Sequence, residues 1–280
     1  MVLFPNAKIN LGLNIVRKRK DGYHDLETFF YPLNIYDAVE IISEVNDKTQ
    51  TPPIDSITFH SSGLTVEGSI ENNLCVKAYQ LLKKDFPLLP SIKMHLHKNI
   101  PMGAGLGGGS ADGAFVLKLL NQKYHLQLSQ QQFINYALQL GSDCPFFIIN
   151  KPCLATSRGE KMSEINIDLS TYKFLLVNPQ IHISTSWAFA NIQPTVPIKP
   201  IQQIITQPIH TWKEELVNDF EQPVFKKYAS IHSLKNEMYK MGAIYAAMSG
   251  SGSTVFGIFE KEKKIIPSFP QNYFVQEVAV

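Results

Sequence analysis

Residues 8–15 alternate without a break: Ile9, Leu11, Leu13 and Ile15 fall on one side, Lys8, Asn10, Gly12 and Asn14 on the other. A period of two predicts a strand with one buried face and one polar face. Asp21-Gly22 follows as a hairpin turn signal, and a second run begins near Leu26 and continues through Phe30. Segments 38–43 and 56–60 read as further strands, and the polar, proline-bearing stretch 44–53 reads as a surface loop. The period then changes. Asn72-Asn73 offers an N-cap ahead of Leu74, Ala78, Leu81 and Leu82 at helical spacing. Ile92, Met94 and Leu96 alternate as another strand, and 110–120 has helical character. Ser129 with Gln132 makes a capping-box pattern for a helix that runs through Leu140 and is stopped by Gly141.

A boundary between Asn150 and Arg158 divides an N-terminal domain, 1–155, from a C-terminal domain, 156–280. Beyond it come a buried strand at 174–177 and a Pro/Gln/Ile-rich connection over 193–208. Helical patterns cover 217–228, interrupted at Pro223, and 234–241; strand-like segments lie near 243–247, 254–259 and 273–278. Strands and helices mix without regular βαβ alternation, so the expected class is α/β of the α+β kind. No internal repeat is visible.

Composition narrows the picture. With 44% hydrophobic and 18% charged residues, the 280-residue chain can build a core without staples. A net charge of +2 argues against nucleic acid and against a polybasic membrane anchor as partners, and the basic run Arg17-Lys18-Arg19-Lys20 reads as a solvated hairpin tip. Cys75, Cys144 and Cys153 are odd in number and lack metal-ligand spacing, which fits a reducing compartment. No stretch approaches the roughly 18 apolar residues of a membrane span. The N-terminus opens on a strand pattern, not a signal segment, so a cytoplasmic protein is expected.

The candidate chemistry centres on Pro101-Met102-Gly103-Ala104-Gly105-Leu106-Gly107-Gly108-Gly109-Ser110-Ala111. Its glycines let the backbone take positive φ and bring N–H groups close to a ligand. The helix that follows adds unpaired N–H groups and its positive dipole end, a combination suited to a polyphosphate. A flexible linker would rarely run straight into an apolar helix. Walker A is excluded because Gly109, not lysine, follows Gly108. The dinucleotide pattern is matched formally by Gly103, Gly105 and Gly108, yet no acidic residue lies between Gly113 and Gly141 to bind a ribose.

Three segments together resemble the GHMP kinases. Pro5-Asn6-Ala7-Lys8-Ile9-Asn10-Leu11 is similar to their first motif, the glycine loop to their phosphate loop, and Met248-Ser249-Gly250-Ser251-Gly252-Ser253 to their third motif. Asp21-Gly22-Tyr23-His24-Asp25-Leu26-Glu27-Thr28 and Gly141-Ser142-Asp143-Cys144-Pro145-Phe146-Phe147 resemble one branch, which serves isoprenoid-precursor synthesis by the non-mevalonate route. The resemblance implies a two-domain GHMP kinase fold, with an N-terminal ribosomal-S5-like domain and a ferredoxin-like C-terminal domain. It implies ATP and Mg2+ as cofactors, and a small-molecule substrate with a cytidine diphosphate moiety as partner. Acceptors of homoserine or mevalonate type, or a catalytically inactive nucleotide-binding protein, are the alternatives.

The resemblance also implies roles. Lys8, by composition alone a solvated lysine, becomes catalytic, stabilising charge on the transferred phosphoryl group. Asp143, which spacing alone would make a helix cap ahead of Pro145, becomes the general base for the substrate hydroxyl. Asn10, Tyr23, His24 and Phe189 become substrate-binding residues, with Tyr23 and Phe189 stacking on the cytosine ring. Trp187, or plain core packing, accounts equally well for the aromatics near 189. Ser249, Gly250, Ser251 and Gly252 form a second backbone cradle that supports the first loop and closes over substrate; a tight hairpin is the plainer explanation. Asn73 lies near adenine on this view, although a cap alone explains it. The loop reads GGGSA where the family pattern has GSSSA, which leaves Ser110 as a hydroxyl for magnesium.

Overall fold

The computed structural model describes residues 1–43 and 57–279, so the loop expected at 44–53 lies outside the described residues. In chain order the first strands are β1 (Val2–Leu3), β2 (Asn6–Lys18), β3 (His24–Tyr36), β4 (Ala38–Ser43), β5 (Ile57–Gly63) and β6 (Ile92–Lys98). Helix α1 (Leu74–Asp85) precedes β6, and α2 (Gly108–Tyr124), α3 (Gln130–Leu140) and α4 (Cys144–Ile149) follow it. The remaining strands are β7 (Cys153–Ser157), β8 (Lys161–Glu164), β9 (Tyr172–Asn178), β10 (Tyr245–Met248), β11 (Val255–Glu260) and β12 (Phe274–Ala279). Between β9 and β10 lie α5 (Thr185–Ala190), α6 (Ile201–Ile205), α7 (Trp212–Glu215), α8 (Glu221–Lys227) and α9 (Ala229–Lys240).

These elements form two compact units, each assembled from separated pieces of chain. One comprises Met1–Ala7, Ile35–Ile100 and Gly108–Asn150. Its sheet has the order β1-β4-β6-β5, with β5 parallel to β6 and the other pairs antiparallel. Ile92, Met94 and Leu96 point inward from β6 as their alternation requires, while Lys93, His95 and His97 face out. Helix α2 packs against α1 and α4, and Gly113 permits the close approach, since a Cβ there would come 2.9 Å from the Leu74 Cβ. The Ser129–Gln132 capping box is complete, with both reciprocal bonds present.

The second unit comprises Lys8–Asn34, Pro101–Gly107 and Lys151–Val280. It holds two sheets, ordered β2-β3-β7-β8 and β10-β11-β9-β12. Leu175 and Val177 of β9 join a core with Phe220, Val224, Leu234, Met238 and Val255. Two expectations need correction here. The connection 193–208 contains a helical turn, α6, because Ile201, Ile204 and Ile205 find a buried surface. The helix expected over 217–228 begins only at Glu221, so Pro223 sits in the first turn, where its missing N–H costs nothing, and interrupts no helix. The stretch 150–158, where the boundary is expected, contributes β7, which pairs with β3.

The basic run at 17–20 adjoins the turn at residues 20–22 as anticipated, but it is not simply solvated. Arg17 and Arg19 both pair with Asp25, and Arg19 also pairs with Asp21 at 2.8 Å. The deeper departure is in β2. Its polar face is buried along with its apolar one: Lys8, Asn10 and Asn14 are at most 5% exposed. Among the described residues, no helix is long and apolar enough to cross a membrane.

Asn73 caps α1, its side chain accepting from the Cys75 N–H at 2.9 Å. Asn73→Ala should therefore lower stability by about 1 kcal/mol and Asn73→Ser by much less, read from the midpoint of urea unfolding.

Candidate active site

The buried polar face of β2 is where the first candidate residues meet. Lys8 Nζ donates to Asn10 Oδ1 at 2.7 Å and to the Gly105 carbonyl at 3.2 Å, and it lies 5.2 Å from the centroid of the Phe30 ring. A buried ammonium needs such acceptors, because desolvation without them is prohibitive. Asn10 Nδ2 donates to Thr28 Oγ1 at 2.9 Å, and the Thr28 hydroxyl donates to the Gly12 carbonyl at 2.6 Å. Both of Lys8's ends hold the glycine loop, since its backbone N–H donates to the Leu106 carbonyl at 2.9 Å.

The loop is shaped by glycine dihedrals. Gly103, Gly105 and Gly107 have φ of 63°, 81° and 72°. At Gly105 the need is doubled, because a Cβ would fall on the Ser249 carbonyl oxygen. The 249–254 turn supports the loop from that side. Ser249 Oγ donates to the Gly105 carbonyl at 2.8 Å and accepts from Asn10 N–H at 3.3 Å, while Thr254 N–H donates to the Ala104 carbonyl at 3.2 Å. Lys8, Asn10, the loop and the third glycine motif are thus one hydrogen-bonded assembly. From Gly107 the chain passes into α2, whose first N–H groups have no acceptor within the helix.

Sequence reading missed what holds this assembly from behind. Asn218 donates to the Met248 carbonyl at 2.6 Å and the Gly250 carbonyl at 2.9 Å. Glu221 accepts from Met248 N–H at 2.8 Å, and Asp219 accepts from Ile15 N–H at 2.7 Å. Leu13 bridges to Asn218 in parallel, so residues 217–221 tie β2 to the glycine turn. Reading 217–228 as one helix hid them. The available signal was an adjacent Asn-Asp pair ahead of Pro223, which marks irregular backbone.

The expected cytosine-binding residues are arranged differently from a simple pair of stacking faces. His24 lies flat on Phe189, with ring centroids 4.8 Å apart and planes at 18°, and Phe220 meets Phe189 edge-on. Burial, then the charge of Lys18, holds the His24 imidazole below its usual pKa. Tyr23 is exposed, with the Arg158 guanidinium 4.7 Å from its ring centroid. Arg158 had no assigned role in the sequence. Thr185 Oγ1 and Ser251 Oγ lie 3.1 Å apart, which connects α5 to the glycine turn.

Asp143, Ser110 and Asn73 belong to the other compact unit. Asp143 occupies the N-cap position of α4 in αR conformation, and its carboxylate makes no capping hydrogen bond. Ser110, in the first turn of α2, hydrogen-bonds the thiol of Cys144, which burial pushes up to about 12. Asn73 is engaged in its cap. No group of three His, Cys, Asp or Glu side chains among the described residues is arranged to hold a metal. A magnesium ion carried on nucleotide phosphates does not need one, because it keeps several waters and takes few protein oxygens. Ser110 offers an oxygen of that kind.

Comparison with known proteins decides the family. Residues 73–151 match the GHMP kinases N terminal domain and residues 201–273 the GHMP kinases C terminal domain. A 4-diphosphocytidyl-2-C-methyl-D-erythritol kinase of Bacteroides fragilis is 51% identical over 265 residues, covering 95% of this chain and 94% of that protein. The chain belongs to this branch of the GHMP kinases. The kinase of the same name from Pelodictyon phaeoclathratiforme is 36% identical over 93% of this chain and 89% of its own length. In fold, the chain is similar to a solved 4-(cytidine 5'-diphospho)-2C-methyl-D-erythritol kinase, with a TM-score of 0.79, 24% identity and full coverage of both chains. It is also similar to the Methanococcus jannaschii mevalonate kinase, with a TM-score of 0.68, 14% identity and coverage of 94% and 92%. The mixed α/β architecture with two GHMP domains is the family's, and the chain is a phosphotransferase with an alcohol acceptor.

Asn218→Ala would leave two buried carbonyls unpaired. It should lower stability by about 2–4 kcal/mol, read by urea unfolding, and loosen the 249–254 turn.

Proposed function

We propose that this chain transfers the γ-phosphoryl group of ATP to the 2-hydroxyl of 4-diphosphocytidyl-2-C-methyl-D-erythritol, in the non-mevalonate synthesis of isoprenoid precursors. The observation that carries the reading is 51% identity along 95% of the chain to a kinase of that name. The hydrogen-bonded assembly of Lys8 with the glycine loop supports it, since phosphoryl transfer depends on alignment and charge neutralisation more than on covalent chemistry.

In this reading the N–H groups of residues 101–107 and the first turn of α2 receive the nucleotide's phosphates. Lys8 stabilises the negative charge of the transferring group. Asp143, at the start of α4, accepts the proton of the attacking hydroxyl. Tyr23, His24 and Phe189 bind the cytosine, with the exposed Tyr23 ring offering a face and the neutral His24 imidazole a hydrogen-bonding edge. Asn10 and the turn Ser249–Gly252 line the acceptor side, and Asn73 lies beside adenine. Ser110 would help hold a magnesium ion carried on the phosphates, which would neutralise phosphate charge. Division into an ATP-binding domain over 1–155 and a C-terminal domain over 156–280, and a cytoplasmic setting with three reduced cysteines, complete the proposal.

A coupled assay for ADP release should show turnover that depends on the cytidine substrate; turnover no higher than with ATP alone would sink the reading. Asp143→Ala should lower kcat by about 10²–10⁴-fold with ATP affinity retained. Tyr23→Ala should raise KM for the cytidine substrate by about 5- to 150-fold, the equivalent of one lost stacking contact, and leave KM for ATP unchanged. CDP should compete with that substrate and not with ATP; failure to compete would favour an acceptor of homoserine or mevalonate type.

A further inference from the structure

Where β6 ends, the chain does something a surface strand does not require. Lys98 turns into the interior of its unit with no side-chain exposure, and its ammonium donates to Asp37 Oδ2 and, at 2.7 Å, to Asp112 Oδ2. The second oxygen of Asp37 accepts from the N–H groups of Asn99 at 2.6 Å and Ile100 at 2.8 Å. Asp37 thereby fixes the backbone immediately before the glycine loop. Asp112 lies one turn into α2, immediately after that loop, and its Oδ1 is buried with no hydrogen-bond partner among the described residues. The three side chains therefore connect the residue before the loop to the helix after it.

The contact between the two ends is direct. A Cβ on Gly108 would lie 3.0 Å from Ile100 Cγ2 and 3.2 Å from Lys98 Nζ, so a side chain there would press both neighbours aside by a few tenths of an ångström. Burial works against the charge of Lys98, and the two carboxylates outweigh it, raising its pKa. Asp37, with three donors, is the better satisfied carboxylate. Burial raises the Asp112 carboxyl above its usual range against the pull of Lys98. The Cys75 thiol of α1 also feels the three charges, and burial raises it well above its usual value. Such a cluster is a costly way to join two elements, since an apolar contact of similar volume often serves as well. What the cluster supplies, and an apolar contact does not, is a directional link to backbone N–H groups on one side and to a helix on the other.

We propose that Lys98 and Asp112, through Asp37, are positioning residues for the nucleotide. They hold Ile100 and Gly108 in contact, and so set the spacing across which the loop presents its N–H groups to phosphates. The proposal rests on the reading of that loop as the phosphate site.

The test uses two double variants of the full chain, K98M/D112L and K98Q/D112N. Each replaces both partners with neutral side chains, and each leaves Asp37 with its two backbone donors. Binding of a non-hydrolysable ATP analogue and of CDP is measured by titration calorimetry, with circular dichroism to establish that each variant is folded. Both variants should bind the analogue at least fivefold more weakly than wild type and bind CDP as wild type does. A folded variant that binds the analogue within twofold of wild type overturns the proposal, as does an equal loss of affinity for both ligands. If K98M/D112L fails to fold, K98Q/D112N, whose amides can hydrogen-bond each other, decides. Analogue binding by wild type without turnover of the cytidine substrate would sink the proposed reaction and leave this inference standing; failure of wild type to bind the analogue would sink the reading of the loop.

Discussion

An ammonium group with 3% of its residue exposed must find its acceptors inside the protein, and much of the candidate site is arranged by that requirement. Lys8 takes one acceptor from its own strand, Asn10, and one from the glycine loop, Gly105. The second contact brings a stretch of backbone from far along the chain onto the polar face of β2. Gly105 must then be glycine, because the Ser249 carbonyl occupies the place of its Cβ. Ser249 in turn bonds both Gly105 and Asn10, which closes the circuit. Each member is satisfied by the others, as a buried polar network has to be.

The same circuit explains why residues distant from any reacting atom matter. Residues 217–221 hold β2 through Leu13 and Ile15, and hold the glycine turn through Met248 and Gly250. Substitutions in this segment and in the turn share partners, so their effects will not add.

Elements with an uninterrupted period were legible from residues alone: the β2 alternation, the inward Ile92, Met94 and Leu96 of β6, and the capping box of α3. The glycine loop was legible because many residues without Cβ ahead of a helix have few other uses. What escaped depended on partners remote in sequence. Nothing local tells that the polar face of β2 is covered, that Arg19 will pair with Asp25, or that Phe189 will stack on His24. Pro223 misled for a related reason: a proline read within a helical pattern breaks it, whereas one in the first turn begins it, and the difference lies in where Val217 and Asn218 are pulled by β2.

Cys144 stands next to Asp143, a position that invites thoughts of thiol chemistry. Yet it is fully buried, and with its pKa pushed up to about 12 it holds its proton at neutral pH. The thiolate is the species that alkylating agents and oxidants attack. A covalent inhibitor aimed at this cysteine would therefore meet an inert group, and ligands for this enzyme will have to gain their residence time from shape and hydrogen bonding instead.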